Sequence, residues 1–431
     1  MAPHDGRRCV IGWPHVLAIA ATATLVRVML VATRSAPDLV RLEPWTVAEA
    51  LVSGRGFVFE QYGTDYLAWK EPLYIALVAA LQWLAGPTTV PVLVAQIAFG
   101  AATAVAVALL AGRVLASPVA ATVAGLLTAV NPFLAYYDTN FVHPLSFDSL
   151  LFVTTTASVL AALRAPTPLR AGIVTGLVTA VGLWQRATLL LAAGAMWLVA
   201  VVSAPTAARA RRLRTAAVWL VICALVISPW VIRNYRLFGR VLFTTDFAHI
   251  LWLGNNPWSN GTYSDAGGMR IFFRADPAFR KSIEGAPELV QYDRFFAAAR
   301  RFIAEDPAAY ARLTLSRLHA FVWFSPNAGV TYAASEQRLY KTFFVLLLAL
   351  GAAGFVLTWK DGTPARRRDA LLLVAAVAGI AVVHALTAIN LKHRVPLELV
   401  LSIFAADPVS RILGWAAARR PRSQGALRRR G

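Results

Sequence analysis

Charged and amide side chains in this sequence gather at the ends of long apolar runs. Glu43 opens Glu43-Pro44-Trp45, and Lys70-Glu71-Pro72 stands just ahead of another apolar stretch. Asp138 and His143 lie between two runs, Arg186 sits at a short hairpin, Arg233-Asn234 closes a further run, and Lys392-His393-Arg394 precedes the last. A carboxylate in such company can take a proton from a hydroxyl. Arginine offers a planar fork and lysine a point charge to a phosphate, and positive charge stabilises phosphate as a leaving group.

Other chemistries are missing. There is no Gly-x-x-x-x-Gly-Lys-Ser/Thr loop of the ATP-driven pumps and no pair of aspartates two apart to hold a nucleotide-sugar metal. The seven histidines show no zinc spacing. Cys9 and Cys223, one before the first apolar run and one inside a later run, are unsuited to a bridge. No metal ligand set is spelled out and no cofactor is expected, although carboxylates could hold a divalent ion.

The elements that must position these side chains are membrane helices. The 431 residues are 58% hydrophobic and only 15% charged, against about a quarter charged in a soluble domain. Runs of roughly 20 apolar residues, the length a bilayer core requires, begin near Trp13, Pro91, Pro118, Pro144, Ala171, Ala187, Thr215, Tyr340, Ala370 and Val395. The stretch from Pro72 to Gly86 is too short to span and reads as a partial helix in the outer leaflet. The expected fold is all-α and polytopic, with about ten spans, this partial helix and a mostly helical extracytoplasmic segment.

The net charge of +20 is a topology signal rather than a nucleic-acid footprint. With the N-terminus cytoplasmic, the inner segments hold 20 of the 42 basic residues and four acids, Asp5, Asp361, Asp369 and Asp407. Counting the Pro72 run as a full span would reverse every later loop and put the arginine clusters outside. Both termini are thus expected inside, and the first run is read as a retained helix rather than a cleaved signal. The organisation expected is a membrane core over 1–233 with its first outer loop at 34–71, an extracytoplasmic segment at 234–339, membrane helices at 340–415 and a basic, disordered cytoplasmic tail at 416–431. Within the outer segment, helix is expected from about Pro287 through Trp323, restarting at Asp306-Pro307.

An ordered series of motifs spans nearly the whole chain. An acid is followed by Ala48, Leu51, Gly54, Gly56 and Phe57; then come Pro72-Leu73-Tyr74, Pro229-Trp230 with Arg233-Asn234-Tyr235, Leu253-Gly254-Asn255, and a late basic Lys392-His393-Arg394-Val395-Pro396. This series resembles the polyprenyl-phosphate-sugar-dependent glycosyltransferases of the multispanning GT-C fold, relatives of protein O-mannosyltransferases and lipid A aminoarabinose transferases, in a bacterial branch. The resemblance implies transfer of a hexose or pentose from a polyprenyl-phosphate sugar to a glycan, protein or lipid acceptor on the outer face of a bacterial cytoplasmic membrane.

By that resemblance Glu43 is the candidate base. It could equally cap the helix expected from Trp45, and Asp38 is close enough to compete. Lys70 and Arg394 match phosphate-binding positions, with Lys392 and His393 beside Arg394 and with Arg186 and Arg233 as further cations. Lys70 could otherwise pair with Glu71 at the interface. Tyr74, Asn234 and Asn255 fall on substrate or turn positions. Relatives place a second acid where this sequence has His143-Pro144, so either His143 substitutes or Asp138 takes the role. Arg27, inside the first run near its outer end, is expected to snorkel. A lipid-linked-sugar flippase, or a non-catalytic glycolipid-binding partner, is the competing reading. Mid-span charges are few and no two halves match, which disfavours a transporter.

Overall fold

The computed structural model describes residues 11–34, 38–265, 267–324 and 333–419. Arg7, Arg8 and the tail from 420 onward, expected inside and disordered, lie outside the described residues. In chain order the elements are α1 (Trp13–Ala32), α2 (Glu43–Val52), a hairpin of β1 (Phe59–Gln61) and β2 (Thr64–Tyr66), α3 (Leu73–Ala85), α4 (Val90–Leu115), α5 (Pro118–Ala129), α6 (Pro132–Asn140), α7 (Leu145–Ala162), α8 (Pro168–Leu183), α9 (Thr188–Val202) and α10 (Thr206–Phe238). The segment expected outside supplies α11 (Asp246–Gly254), α12 (Pro277–Ile283), α13 (Glu288–Glu305) and α14 (Pro307–Val322), and α15 (Ala334–Asp361), α16 (Pro364–Leu386) and α17 (Val395–Ala418) follow. Proline at the first position starts α5, α6, α8, α12, α14 and α16, where its missing N–H costs nothing. Asp306 caps the expected restart, accepting from Ala309 N at 2.8 Å.

All ten predicted runs are helical, but they do not all qualify as spans. Among the described residues seven helices, α1, α4, α7, α10, α15, α16 and α17, are long and apolar enough to cross a bilayer. The pair α5–α6, bent by 43°, makes an eighth if read as one span. Its break falls where Pro132 lacks an N–H and the Asn131 carboxamide oxygen accepts from Phe133 N (3.0 Å) and Leu134 N (3.1 Å). The helices α8 and α9 have 16 and 15 residues, roughly 24 Å and less, short of the ~30 Å hydrocarbon core. Length and composition therefore support seven or eight spans, not ten. The 13 residues of α3 match the expected partial helix.

Close helix contacts rest on small residues, as expected where lipid offers no hydrophobic drive. A Cβ on Gly172 or Gly176 of α8 would meet Val218 at 2.7 Å or Ile222 at 2.6 Å on α10. One on Gly354 of α15 would lie 1.8 Å from the Phe404 carbonyl of α17. Arg27 does not snorkel: it is fully buried and pairs with Asp138 at 2.7 Å. A polar partner one helix away relieves the charge where it stands, so reaching for the interface gains nothing.

Four backbone stitches draw the ends of these helices together. Val40 N donates to Asn140 O (2.8 Å), Leu73 N to Trp184 O (3.0 Å), Thr245 N to Ala68 O (2.8 Å) and Ile389 N to Gly261 O (3.0 Å). They gather the starts of α2, α3, α7, α9 and α11 and the turn before α17 at one end of the bundle.

Candidate active site

Lys70 is the hub of that end. Its Nζ lies 2.5 Å from Asp246 Oδ2 and 3.9 Å from Glu43 Oε2, rather than pairing with Glu71. Burial alone would lower the Lys70 pKa, but the Asp246 and Glu43 carboxylates outweigh it and hold the ammonium protonated above its ordinary range. Asp246 is fixed in turn by the Thr244 hydroxyl, 2.7 Å from its Oδ1. Glu43 is the first residue of α2, with Leu42 as the cap, so it is not the capping residue. Its side chain is 42% exposed against 9% for Asp246, which leaves Glu43 the more approachable carboxylate.

Two further cations face the same space. Arg186 pairs with Asp148 at 2.5 Å, and Gln185 holds the other oxygen of Asp148 at 2.8 Å. Gln185 also accepts from Tyr74 N at 2.9 Å, which ties the start of α3 to the α8–α9 turn. Lys392 Nζ lies 3.3 Å from His143 Nε2. Burial, then the charges of Lys392, Arg186 and Lys70, keep the His143 imidazole well below its ordinary pKa. The neutral ring thus accepts from Lys392 through Nε2 and carries its proton on Nδ1. All three cations act on His143, so they lie near one another.

Glu71 and Tyr263 complete the lining. Glu71 Oε1 accepts from Ala187 N at 3.1 Å, and burial, then the Asp246 charge, raise its pKa. The Tyr263 hydroxyl is pushed up to about 12, chiefly by burial, and stands in the fields of Lys70, Asp246, Arg186 and Glu43.

Glu43, Lys70, His143, Arg186 and Lys392 therefore come together; the remaining candidates have other engagements. Arg394, expected to converge with Lys70, is closed off from solvent: its guanidinium donates to Trp323 O (2.9 Å) and Tyr340 Oη (2.5 Å), lies 3.4 Å from Glu398 and stacks on Phe344 at 3.8 Å. Asp138 is held by Arg27 and by Ser146 at 2.7 Å, with no exposure, which removes it as a proton acceptor for a ligand. Asp38 accepts from Thr89 at 3.1 Å at the start of α4. Arg233 donates to Leu67 O (3.0 Å) and covers Trp230, while Asn234 donates to Phe243 O (2.9 Å); both fasten the end of α10 to the outer loops. Asn255 donates to Leu251 O (2.8 Å) and accepts from Arg317 (3.1 Å), a structural knot. The Tyr74 hydroxyl donates to Gln96 at 2.5 Å, and His393 stacks on His384 at 3.6 Å.

Sequence reasoning missed Asp246 and Tyr263, which lie in the outer segment without a motif, and gave Asp148 no role. Among the described residues no group of three or more His, Cys, Asp or Glu is placed to hold a metal ion. Between Glu43 and Asp246 stands the Lys70 ammonium.

No protein-family model matches the chain, and no curated protein sequence does. Solved structures do. The archaeal oligosaccharyltransferase AglB from Archaeoglobus fulgidus, in complex with an inhibitory peptide and a dolichol-phosphate, aligns over 94% of this chain and 51% of its own at 14% identity, with a TM-score of 0.56. The same enzyme in complex with Zn and sulfate aligns over 94% and 50% at 14% identity and a TM-score of 0.55. ArnT from Cupriavidus metallidurans, bound to undecaprenyl phosphate, aligns over 93% and 79% at 15% identity and a TM-score of 0.43. The chain spans about half the length of the oligosaccharyltransferase chains it matches. At these identities the likeness shows the fold, which is that of the GT-C membrane glycosyltransferases.

Proposed function

We propose that the chain transfers a sugar from a polyprenyl-phosphate donor to an envelope acceptor on the outer face of a bacterial cytoplasmic membrane. The observation that carries this reading is the meeting of Lys70, Arg186 and Lys392 with the accessible Glu43, from four separate stretches of sequence, at one end of a membrane bundle. The isoprenoid stays in the bilayer while its phosphate lies against the three cations. An acceptor hydroxyl forms the new bond to the anomeric carbon as the bond from that carbon to the phosphate oxygen breaks. Glu43 takes the hydroxyl proton, and the charge left on the polyprenyl phosphate is stabilised by Lys70, Lys392 and Arg186. Asp246 and His143 act as positioning residues, the first for Lys70 and the second for Lys392. The dolichol-phosphate of the archaeal enzyme supports a lipid-phosphate ligand for this fold.

The test uses purified protein with labelled polyprenyl-phosphate hexoses and pentoses and candidate acceptors. Wild-type transfer that is lost in Glu43→Gln and Lys392→Met is expected. Undiminished transfer in both variants refutes the site.

A further inference from the structure

A cleft of about 860 Å³ opens on the outer segment between the turn at 256–260 and the junction of α13 with α14. Trp258, Arg301, Phe302, Glu305, Arg312 and Ser316 line it. The turn is braced by its own polar groups. Asn256 Oδ1 accepts from Trp258 N at 2.9 Å, Ser259 Oγ donates to Leu253 O at 2.7 Å and accepts from Gly261 N at 2.9 Å, and Asn260 Oδ1 accepts from Thr262 N at 2.9 Å. The lining side chains are not so engaged. The Trp258 ring is 39% exposed, and Arg301, Glu305 and Arg312 have no side-chain hydrogen bond or ion pair among the described residues.

A rigid turn presenting a bare indole among unengaged donors and an acceptor suits one ligand chemistry. Sugar rings offer an apolar C–H face that packs on an aromatic plane and hydroxyls that accept from guanidinium and donate to carboxylate. Charges of both signs around the ring disfavour an acyl chain, which would desolvate them without replacing their water. The lining comes from a turn and four helices, so no strand edge is offered to an extended peptide.

The turn that lines the cleft leads along the chain toward the site. From Asn260 the chain passes through Thr262, bridged to Ile389, to Tyr263, which stands in the field of Lys70 and Glu43. We infer that the cleft holds the interior sugars of a linear polysaccharide acceptor whose end reaches the Lys70–Glu43 site. This rests on the transferase reading and names its acceptor as a glycan rather than a protein or lipid.

Binding can be read without turnover, by saturation-transfer NMR on the full chain in lipid nanodiscs. The probes are neutral linear tetrasaccharides of hexose and of pentose units, the matching monosaccharides and an uncharged octapeptide. A tetrasaccharide is expected to bind, with affinity about tenfold weaker in Trp258→Ala and in Glu305→Ala and restored in Trp258→Phe. Equal binding in wild type and Trp258→Ala, no tetrasaccharide binding, or a Trp258-dependent response to the octapeptide alone would each overturn the inference. Should wild type transfer no sugar while tetrasaccharide binding still depends on Trp258, the transferase reading fails and the glycan cleft stands. Sugar transfer without Trp258-dependent binding overturns the glycan cleft and leaves the transferase reading intact.

Discussion

Arg394 and Glu398, one helical turn apart at the start of α17, form an ion pair 3.4 Å long with both side chains shut away from solvent. Tyr340 and Asn131 share the Glu398 carboxylate, Asn131 at 2.8 Å, so α15, α17 and the α5–α6 break meet at one buried acid. Removing one member of such a pair strands the other charge and costs about 3–5 kcal/mol. Arg394→Ala should therefore lower the unfolding midpoint in detergent sharply, and Arg394→Met with Glu398→Leu should recover much of the loss. Equal midpoints for the single and double variants would refute this account.

Lys392 should behave in the opposite way. Lys392→Met removes a cation from the lining without leaving a buried charge, because His143 is neutral. Transfer is expected to fall by about 10²-fold or more while the unfolding midpoint stays near wild type. Paired kinetics and melting curves distinguish this from the Arg394 result.

Glu43→Gln keeps the shape of the side chain and abolishes its basicity. A loss of about 10²–10⁴ in kcat with donor KM little changed is expected. Asp246→Asn, by contrast, should act through the placement of Lys70 and raise the donor KM by about tenfold. Steady-state kinetics over donor concentration separate the two roles.

His249 gives a pH signature. It is buried against Tyr62, whose hydroxyl lies 3.0 Å from its Nε2, and burial, then Lys70 and Arg270, lower its pKa to about 3. Its ordinary value lies near 6.5, so between the two the unfolded chain binds a proton that the folded chain refuses. Its contribution is complete above pH ~6.5 and declines as pH falls toward 3, by up to ~1.4 kcal/mol per unit. Midpoints measured from pH 7 to 4.5 should drop less in His249→Gln than in wild type; parallel curves would contradict this.

The sequence was legible where chemistry sat at the ends of apolar runs. Glu43, Lys70, Arg186 and Lys392 stand out because a charge beside a span needs a reason. Arg394 was misread through its neighbour. In the short 3-10 turn Leu391–Arg394 successive side chains fan out by about 120°, so Lys392 reaches His143 while Arg394 reaches Tyr340. Arg27 and Asp138 are 111 positions apart, and nothing local announces that a buried guanidinium claims that acid. Asp246 was invisible for a similar reason: its meaning comes from Lys70, 176 positions earlier, and the Thr245–Ala68 stitch and the Glu288 carboxylate, shared by Leu67, Ala68 and Thr245, bring them together. Length supports seven or eight of the expected ten spans, since α8 and α9 are short and composition does not mark where a helix stops.

Gly254 rests directly on the Thr387 carbonyl, so closely that a Cβ there would lie 1.7 Å from that oxygen. Arg317 clamps the same junction by donating to Gly254 O and Ala385 O, each at 2.6 Å. The end of α11 and the end of α16 are thus locked like a keystone in its arch. Any shift of α11 relative to the end of α16 must break these contacts first.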